Sequence, residues 1–546
     1  MQRWLTRLNR NDLLMTGVVA ATLLAVFLVL NHGPLWHTDV WAHLKYGTWI
    51  VEHRTLPESE LFSPWGQSEP VVPASWLSQV IISQVYHLGA RLSPASAGEA
   101  AQPGGVDALR FLHALLVALR FLFLYLAFVR WTGSKLISYL GMLLALALSL
   151  NHLEVFRPQV FGELCMALML FMVCRQPPTR LAAWMVPVLL VVWTNLHGSY
   201  LNGLLVLLGV LTSRMLLAIK ASQSGMGGDA FHAPGVRRTF RMFYVSLIAI
   251  GILNPLMNFR WYTQTLTFAQ NPNVRMMDEW QPLVWSSQQG ILFAISLIIV
   301  AVTHLAAKRR KVGGISIGHG LLLICFGVQV VFFQRMLPWW AMLCPLVCVG
   351  PWARLLQKGM PYEEERTSRW LMQAIIVAMV CWVGFNWSTL GKLVMEKDAT
   401  PLDRSLHPGT PRIVDLATRR NGTSLSPELS AALHKQGASI FCSETLGDYC
   451  LFAGNGDVIV YTHVHAFPEQ HWRDCMAVKQ GDANWEKLLN QWNTNVVCVE
   501  AELHPKLCDL LRRSPNWWIV LDEAGSSRKP NPKSRLFIAV RKSSIS

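Results

Sequence analysis

The apolar residues of this chain come in long blocks, and that feature limits the fold more than any other. A helix needs roughly 20 predominantly apolar residues to cross the hydrocarbon core. Lipid offers no partner to an exposed peptide group, so spanning segments are helical or closed barrels. The first block runs from Leu13 to Leu30. Further blocks lie near 108–129, 135–150, 159–174, 181–196, 199–219, 242–256, 290–306, 315–333, 337–356 and 370–390. They predict a polytopic α-helical membrane protein with about eleven spans. Trp76 to Gly89 is apolar but short, which predicts a helix lying at the interface. Composition agrees: 15% of residues are charged, where a soluble chain carries about 25%.

The Leu13–Leu30 block follows Arg3, Arg7 and Arg10, as the core of a signal peptide would. No small-x-small cleavage site comes after it, only Asn31-His32-Gly33-Pro34. It therefore reads as an uncleaved span.

A net charge of +15 raises the question of nucleic acid. The placement of the charge answers it. With the N-terminus inside, the predicted inner segments gather Arg3, Arg7 and Arg10, the cluster Arg214, Lys220, Arg237, Arg238 and Arg241, the run Lys308 to Lys311, and Arg354 with Lys358, Arg366 and Arg369. The predicted outer loops hold Lys45, Arg54, Arg91, Arg157, Arg260, Arg275 and Arg335. That asymmetry is the positive-inside pattern, and every alternation agrees with it. The basic balance is membrane topology rather than nucleic-acid binding. The expected location is a membrane, with the N-terminus inside and the tail outside.

After Leu390 the hydropathy drops. The expected division is a transmembrane domain over 1–394, with a large first outer loop over 31–107, and a soluble extracytoplasmic α/β domain over 395–546. In that tail, 439–442, 457–461, 495–499 and 536–540 read as strands and Trp485 to Trp492 as a helix. Five cysteines lie there: Cys442, Cys450, Cys475, Cys498 and Cys508. The number is odd and no zinc spacing repeats, so buried thiols with at most one bridge are expected.

Polar residues collect on the outer side of the predicted spans. The first outer loop reads His37-Thr38-Asp39-Val40-Trp41-Ala42-His43-Leu44, then Gly47, then Leu56-Pro57-Glu58-Ser59-Glu60-Leu61-Phe62-Ser63, then Trp76-Leu77. Later loops add Arg157-Pro158, Asn195-Leu196-His197-Gly198, Asn254-Pro255, Asp278-Glu279-Trp280 and Gln334-Arg335. Carboxylates, imidazoles and guanidinium groups from five loops thus share one face, where the bilayer meets water. Arg120 stands apart, deep in a span, where charge is costly and has a partner. Glu163 is the candidate partner in a structural ion pair.

These loops resemble those of the GT-C class of membrane glycosyltransferases, which includes protein O-mannosyltransferases, aminoarabinose transferases and oligosaccharyltransferases. They are more similar still to a bacterial set of GT-C-like membrane proteins. That set's first loop reads Asp-x-Trp-x-His-Leu, Gly, Leu-Pro-x-x-Asp-x-Phe-Ser, Trp-Leu, matched here by Asp39, Trp41, His43, Leu44, Gly47, Leu56, Pro57, Phe62, Ser63, Trp76 and Leu77. The later loop elements and the tail segment Gly447-Asp448-Tyr449 match as well. Glu60 departs from the pattern's Asp but keeps the charge. Thr462-His463-Val464-His465 stands where an acidic and basic pair is expected, and that segment is given no role.

The resemblance implies transfer of a sugar from a polyprenyl-phosphate-linked donor to an extracytoplasmic glycan, lipid or protein. It implies Asp39 and Glu60 as catalytic acids, and His43, Arg157, His197, Glu279 and Arg335 as substrate contacts. A carboxylate can take the acceptor's proton, and guanidinium groups can hold a departing phosphate by paired hydrogen bonds. A divalent metal on His37, Asp39 and His43 is the cofactor option, though the spacing is weak. Blander readings stay open: a solvated loop acid at Asp39, a turn cap at Glu60, interface anchors at Arg157 and Arg335. So do a transporter or flippase and a non-catalytic envelope protein.

Overall fold

The computed structural model describes residues 10–33, 35, 39–67, 69–71, 73–92, 102–174, 177–223, 229–253, 260–357, 373, 374, 377, 432, 437, 439–454, 457–524 and 535–544. The membrane part runs, in chain order, through helices α1 (Arg10–His32), α2 (Asp39–His53), α3 (Trp76–Leu92), α4 (Pro103–Thr132), α5 (Lys135–Leu153), α6 (Gln159–Val173), α7 (Arg180–Leu196), α8 (Tyr200–Gln223), α9 (Pro234–Leu253), α10 (Arg260–Gln270), α11 (Pro272–Arg275), α12 (Gln288–Arg309), α13 (Ile317–Phe332) and α14 (Leu337–Gln357).

Six stretches among the described residues are long and apolar enough to cross a membrane: Leu14–His32, Gly104–Thr132, Lys135–Leu153, Tyr200–Gln223, Gln288–Arg309 and Gln334–Leu356. Helices α6, α7 and α13 are apolar but shorter. The expected count of about eleven is thus not confirmed among the described residues. The physical reason is length: several apolar blocks become helices shorter than a bilayer crossing needs. The block near 370–390 lies outside the described residues apart from 373, 374 and 377. The short Trp76–Gly89 stretch is helical, as expected, and extends to Leu92.

Helix α14 is the hub, with 89% of its apolar window buried against 28% for Leu14–His32. It meets α5 at Gly141, where an added Cβ would stand 2.4 Å from Val349 Cγ1. Small residues permit such close helix contact in lipid, where apolar burial alone drives little association. Arginines close the ends of several elements opposite the polar loops. Arg130 donates to Phe171 O at 2.8 Å, Arg214 to Val173 O at 2.6 Å, and Arg238 to Pro178 O at 2.6 Å. The Phe171 and Val173 carbonyls lie in the last turn of α6, where a cation suits the negative end of the helix dipole. Within the bundle Arg120 pairs with Glu163, which also accepts from Gln159 Nε2 at 3.0 Å.

The tail carries a five-stranded mixed sheet of order β2-β1-β3-β5-β4. Its strands are β1 (Ser439–Cys442), β2 (Asp457–Val458), β3 (Thr494–Glu500), β4 (Trp517–Asp522) and β5 (Leu536–Arg541). Strand β1 pairs in parallel with β2 and β3, while β5 runs antiparallel to β3 and β4. Helices α15 (Glu444–Ala453), α16 (Glu469–Gln480), α17 (Trp485–Gln491) and α18 (Pro505–Arg513) cover it. Every residue of β3 is buried, which marks a central strand. The expected strand over 457–461 shortens to two residues, because the chain leaves the sheet there and runs down onto the membrane part. Strand β4 goes beyond the expected set. All five tail cysteines are free and buried. Cys442 and Cys450 hold their Sγ atoms 3.7 Å apart, beyond the roughly 2.05 Å of a bond.

Candidate active site

Asp39 is the first residue of α2, where the helix's free N–H groups and dipole favour a negative charge. Arg157 comes from the turn before α6, and its Nε lies 2.8 Å from Asp39 Oδ2 in an ion pair. The same guanidinium pairs with Glu279, in the short 3-10 turn Asp278–Trp280. Arg335, in the turn Gln334–Met336, pairs with the other oxygen of Glu279. Its guanidinium also lies 5.2 Å from the Trp280 ring centre, a cation–π contact. Asp39, Arg157, Glu279 and Arg335 therefore form one alternating chain of charge. Burial works against the Arg157 charge, but Asp39 and then Glu279 outweigh it and hold its pKa above the usual range.

Two imidazoles flank the chain. His43 lies one turn along α2 and its Nδ1 is 3.0 Å from Gln79 Nε2 on α3. Burial, then Arg157 and Arg335, push its pKa down to about 3. His197 follows α7 and its Nδ1 is 2.8 Å from Ser199 Oγ and accepts the Ser199 peptide N–H at 3.1 Å. Burial, then Arg335 and His43, push it to about 3 as well, with Glu279 opposing. Both rings are neutral near pH 7.

Glu60 is elsewhere. It is 2% exposed. One oxygen accepts the Phe62 and Ser63 peptide N–H groups at 2.8 and 3.0 Å. The other accepts the hydroxyls of Tyr46, at 2.5 Å, and of Tyr461 in the tail. Burial and the Glu60 charge raise both phenol pKa values, so both stay donors. Four donors fill this carboxylate, and none belongs to the Asp39–Arg335 chain. The arrangement is that of a fastening between loop and tail.

The tail adds residues that sequence reasoning passed over. Asp448, on α15, accepts the Thr462 peptide N–H at 2.9 Å and its hydroxyl at 2.7 Å. Burial raises its pKa well above the usual value; the Thr462 bonds oppose that, and Asp39 and Arg157 act on it from across the junction. It reaches Thr462 because Gly447 sits so close to the backbone at 460 that a Cβ would be 2.3 Å from Val460 O. The His463 ring is 4.9 Å from His43 and 5.6 Å from His465. The signal was present in Gly447-Asp448-Tyr449 and in the unusual histidine pair, but nothing in the sequence says what they face.

Of the residues expected to hold a metal, Asp39 pairs with Arg157, which also pairs with Glu279, and His43 Nδ1 lies 3.0 Å from Gln79 Nε2. Among the described residues no three His, Cys, Asp or Glu side chains group for a metal. His37 and Asn254-Pro255 lie outside the described residues.

No protein-family model matches the chain, and no curated protein matches it. Solved structures do. The archaeal oligosaccharyltransferase AglB from Archaeoglobus fulgidus, in complex with an inhibitory peptide and a dolichol-phosphate, aligns at TM-score 0.50 and 9% identity, over 90% of this chain and 69% of that one. The Archaeoglobus fulgidus oligosaccharyltransferase in the apo form aligns at 0.49 and 10%, over 90% and 70%. ArnT from Cupriavidus metallidurans, bound to undecaprenyl phosphate, aligns at 0.43 and 13%, over 96% and 97%. The first likeness rests on shape rather than sequence, and what it establishes is a shared GT-C fold.

Proposed function

We propose that this chain transfers a sugar from a polyprenyl-phosphate-linked donor to an acceptor outside the cytoplasm. The observation that carries the reading is the alternating chain Asp39–Arg157–Glu279–Arg335, within a GT-C fold. The archaeal oligosaccharyltransferase AglB of that fold is in complex with a dolichol-phosphate, and the donor's lipid tail would lie in the bilayer beside the helices.

The steps ask little of the protein. An acceptor nucleophile attacks the anomeric carbon, and the bond from that carbon to the phosphate oxygen breaks. Asp39 takes the acceptor's proton. The phosphate leaves with the bonding electrons and is held by Arg157 and Arg335. Arg157 and Arg335 already satisfy Glu279, so an arriving phosphate competes with a carboxylate for the same donors. Glu279 then serves to keep two cations in register until the anionic group arrives. On this reading the N-terminus is inside and the tail outside, in a bacterial inner membrane.

The test is to incubate purified protein with a panel of polyprenyl-linked sugars and compare it with Asp39→Asn. That change keeps size and removes the proton acceptor. Loss of general-base assistance is worth roughly 10²–10⁴-fold in rate. A drop in that range, with membrane insertion intact, is expected. Full activity in the variant would return Asp39 to the role of a solvated loop acid.

A further inference from the structure

The proposed phosphate contacts so far are cations. The two imidazoles beside them are neutral, and a neutral imidazole has one N–H and one bare nitrogen. Which is which depends on what the other nitrogen meets. The structure answers for both rings. Gln79 Nε2 can only donate, so His43 Nδ1, 3.0 Å away, is the bare nitrogen. The Ser199 peptide N–H likewise donates to His197 Nδ1. Trp193 Nε1 donates to Ser199 Oγ at 3.1 Å, which directs that hydroxyl's own proton to the same nitrogen at 2.8 Å.

Each lock is built into the packing. Helix α3 comes so close to α2 that a Cβ on Gly47 would stand 2.0 Å from Gln79 O. That contact brings the Gln79 side chain within reach of His43. At the other ring, a Cβ on Gly162 would stand 2.6 Å from Ser199 Oγ and 2.8 Å from Trp193 Nε1. The two rings and the two arginines also share a neighbourhood: Arg157 and Arg335 act on both imidazoles, and His43 acts on His197.

We propose that Gln79 and the Trp193–Ser199 relay are positioning residues that hold His43 and His197 in one tautomer, so that both rings offer Nε2–H to the phosphate held by Arg157 and Arg335. The ligand rests on the transferase reading above; the tautomers do not. Two neutral donors beside two guanidinium groups add directed hydrogen bonds without adding charge. Such a cradle would favour an anion with several oxygens over a simple halide.

The experiment uses the full chain in lipid nanodiscs, with labelled histidine nitrogens read by NMR and a polyprenyl monophosphate as the binding probe. In the wild type the proton should sit on Nε2 of both rings. Gln79→Glu replaces a donor by an acceptor of the same shape, and should draw the His43 proton to Nδ1. Gln79→Leu removes the donor without adding charge. It should leave His43 a mixture of tautomers and weaken the probe about tenfold, as one lost hydrogen bond to a charged group would. Ser199→Ala keeps the peptide N–H and should have a smaller effect. A wild-type His43 protonated on Nδ1, or Gln79→Leu with unchanged nitrogens and affinity, overturns the proposal. A proton on Nε2 in a wild type that does not bind the probe overturns the ligand and the transferase reading together, while the lock stands.

Discussion

Glu60 offers a prediction whose size can be worked from its contacts. The carboxylate is buried and takes four donors, two peptide N–H groups on one oxygen and two phenols on the other. In Glu60→Gln the amide oxygen can face the fixed peptide groups, and the amide NH2 can face the phenols, which rotate to accept. One phenol can turn its proton to the other, 3.0 Å away, so at most one O–H loses its acceptor, and four charge-assisted bonds become neutral ones. A hydrogen bond to a charged group contributes about 1.5–3 kcal/mol and a neutral one about 0.5–1.5 kcal/mol. With partial compensation the expected loss is roughly 2–4 kcal/mol. In Glu60→Leu the two peptide groups have no partner at all, at about 1–3 kcal/mol each, so it should lose more than the Gln variant. The assay is thermal unfolding in detergent followed by tryptophan fluorescence, with protease cleavage between loop and tail as a second reading. The order wild type, Gln, Leu is the point. If both variants unfold with the wild type, the fastening is not where the structure places it. If transfer activity falls in Glu60→Gln while stability holds, Glu60 is a catalytic residue and the structural assignment fails.

Three further outcomes are expected. Reporter fusions after Lys311 and after Pro401 should give opposite signals, since the loop charges alternate without exception; matching signals would refute the topology. Gly47→Ala places a Cβ 2.0 Å from Gln79 O, so α2 and α3 must part, and overpacking of this kind costs about 1–3 kcal/mol, read as a lower unfolding temperature. Stability should fall as pH drops below the ordinary histidine value of 6.5, because His43, His197 and His465 are pushed to about 3, 3 and 4 and stay unprotonated in the fold while the unfolded chain takes up protons. Each contributes a slope of about 1.4 kcal/mol per pH unit between its folded and unfolded values, and unfolding scans across pH 4 to 7 would show a flat response if the rings were solvated.

What the sequence could show was the part carried by local pattern. Apolar blocks located the helices, and the cost of a lone charge in lipid led from Arg120 to Glu163 before any contact was known. The polar outer loops singled out Asp39, Arg157, Glu279 and Arg335. Their pairing was out of reach, since Arg157 and Glu279 are 122 positions apart and only the fold closes that distance. Glu60 shows the limit more sharply. In the sequence it is a second loop acid beside Asp39, with the same charge and a matching motif. What separates the two is Tyr461, 401 positions away, which fills one of the Glu60 oxygens. Asp448 and His463 were given no role for the same reason: the Asp39 and Arg157 charges that act on one, and the His43 ring that faces the other, lie on the other side of the domain junction.

That junction is pinned at several places besides Glu60. Ser63 Oγ donates to Val458 O at 3.0 Å, Asn273 Nδ2 to Val464 O and Phe467 O at 2.9 and 2.8 Å, and Lys45 Nζ to Leu451 O at 2.5 Å. A roof nailed down along its rim does not swing open for each customer. On the transferase reading, traffic to Asp39 would pass sideways, between the helices from the lipid or under the eaves of the tail, and the products would leave by the same doors. Turnover would then follow the width of those side passages, and a molecule wedged into one of them would stop the protein without touching a single charged residue of the site.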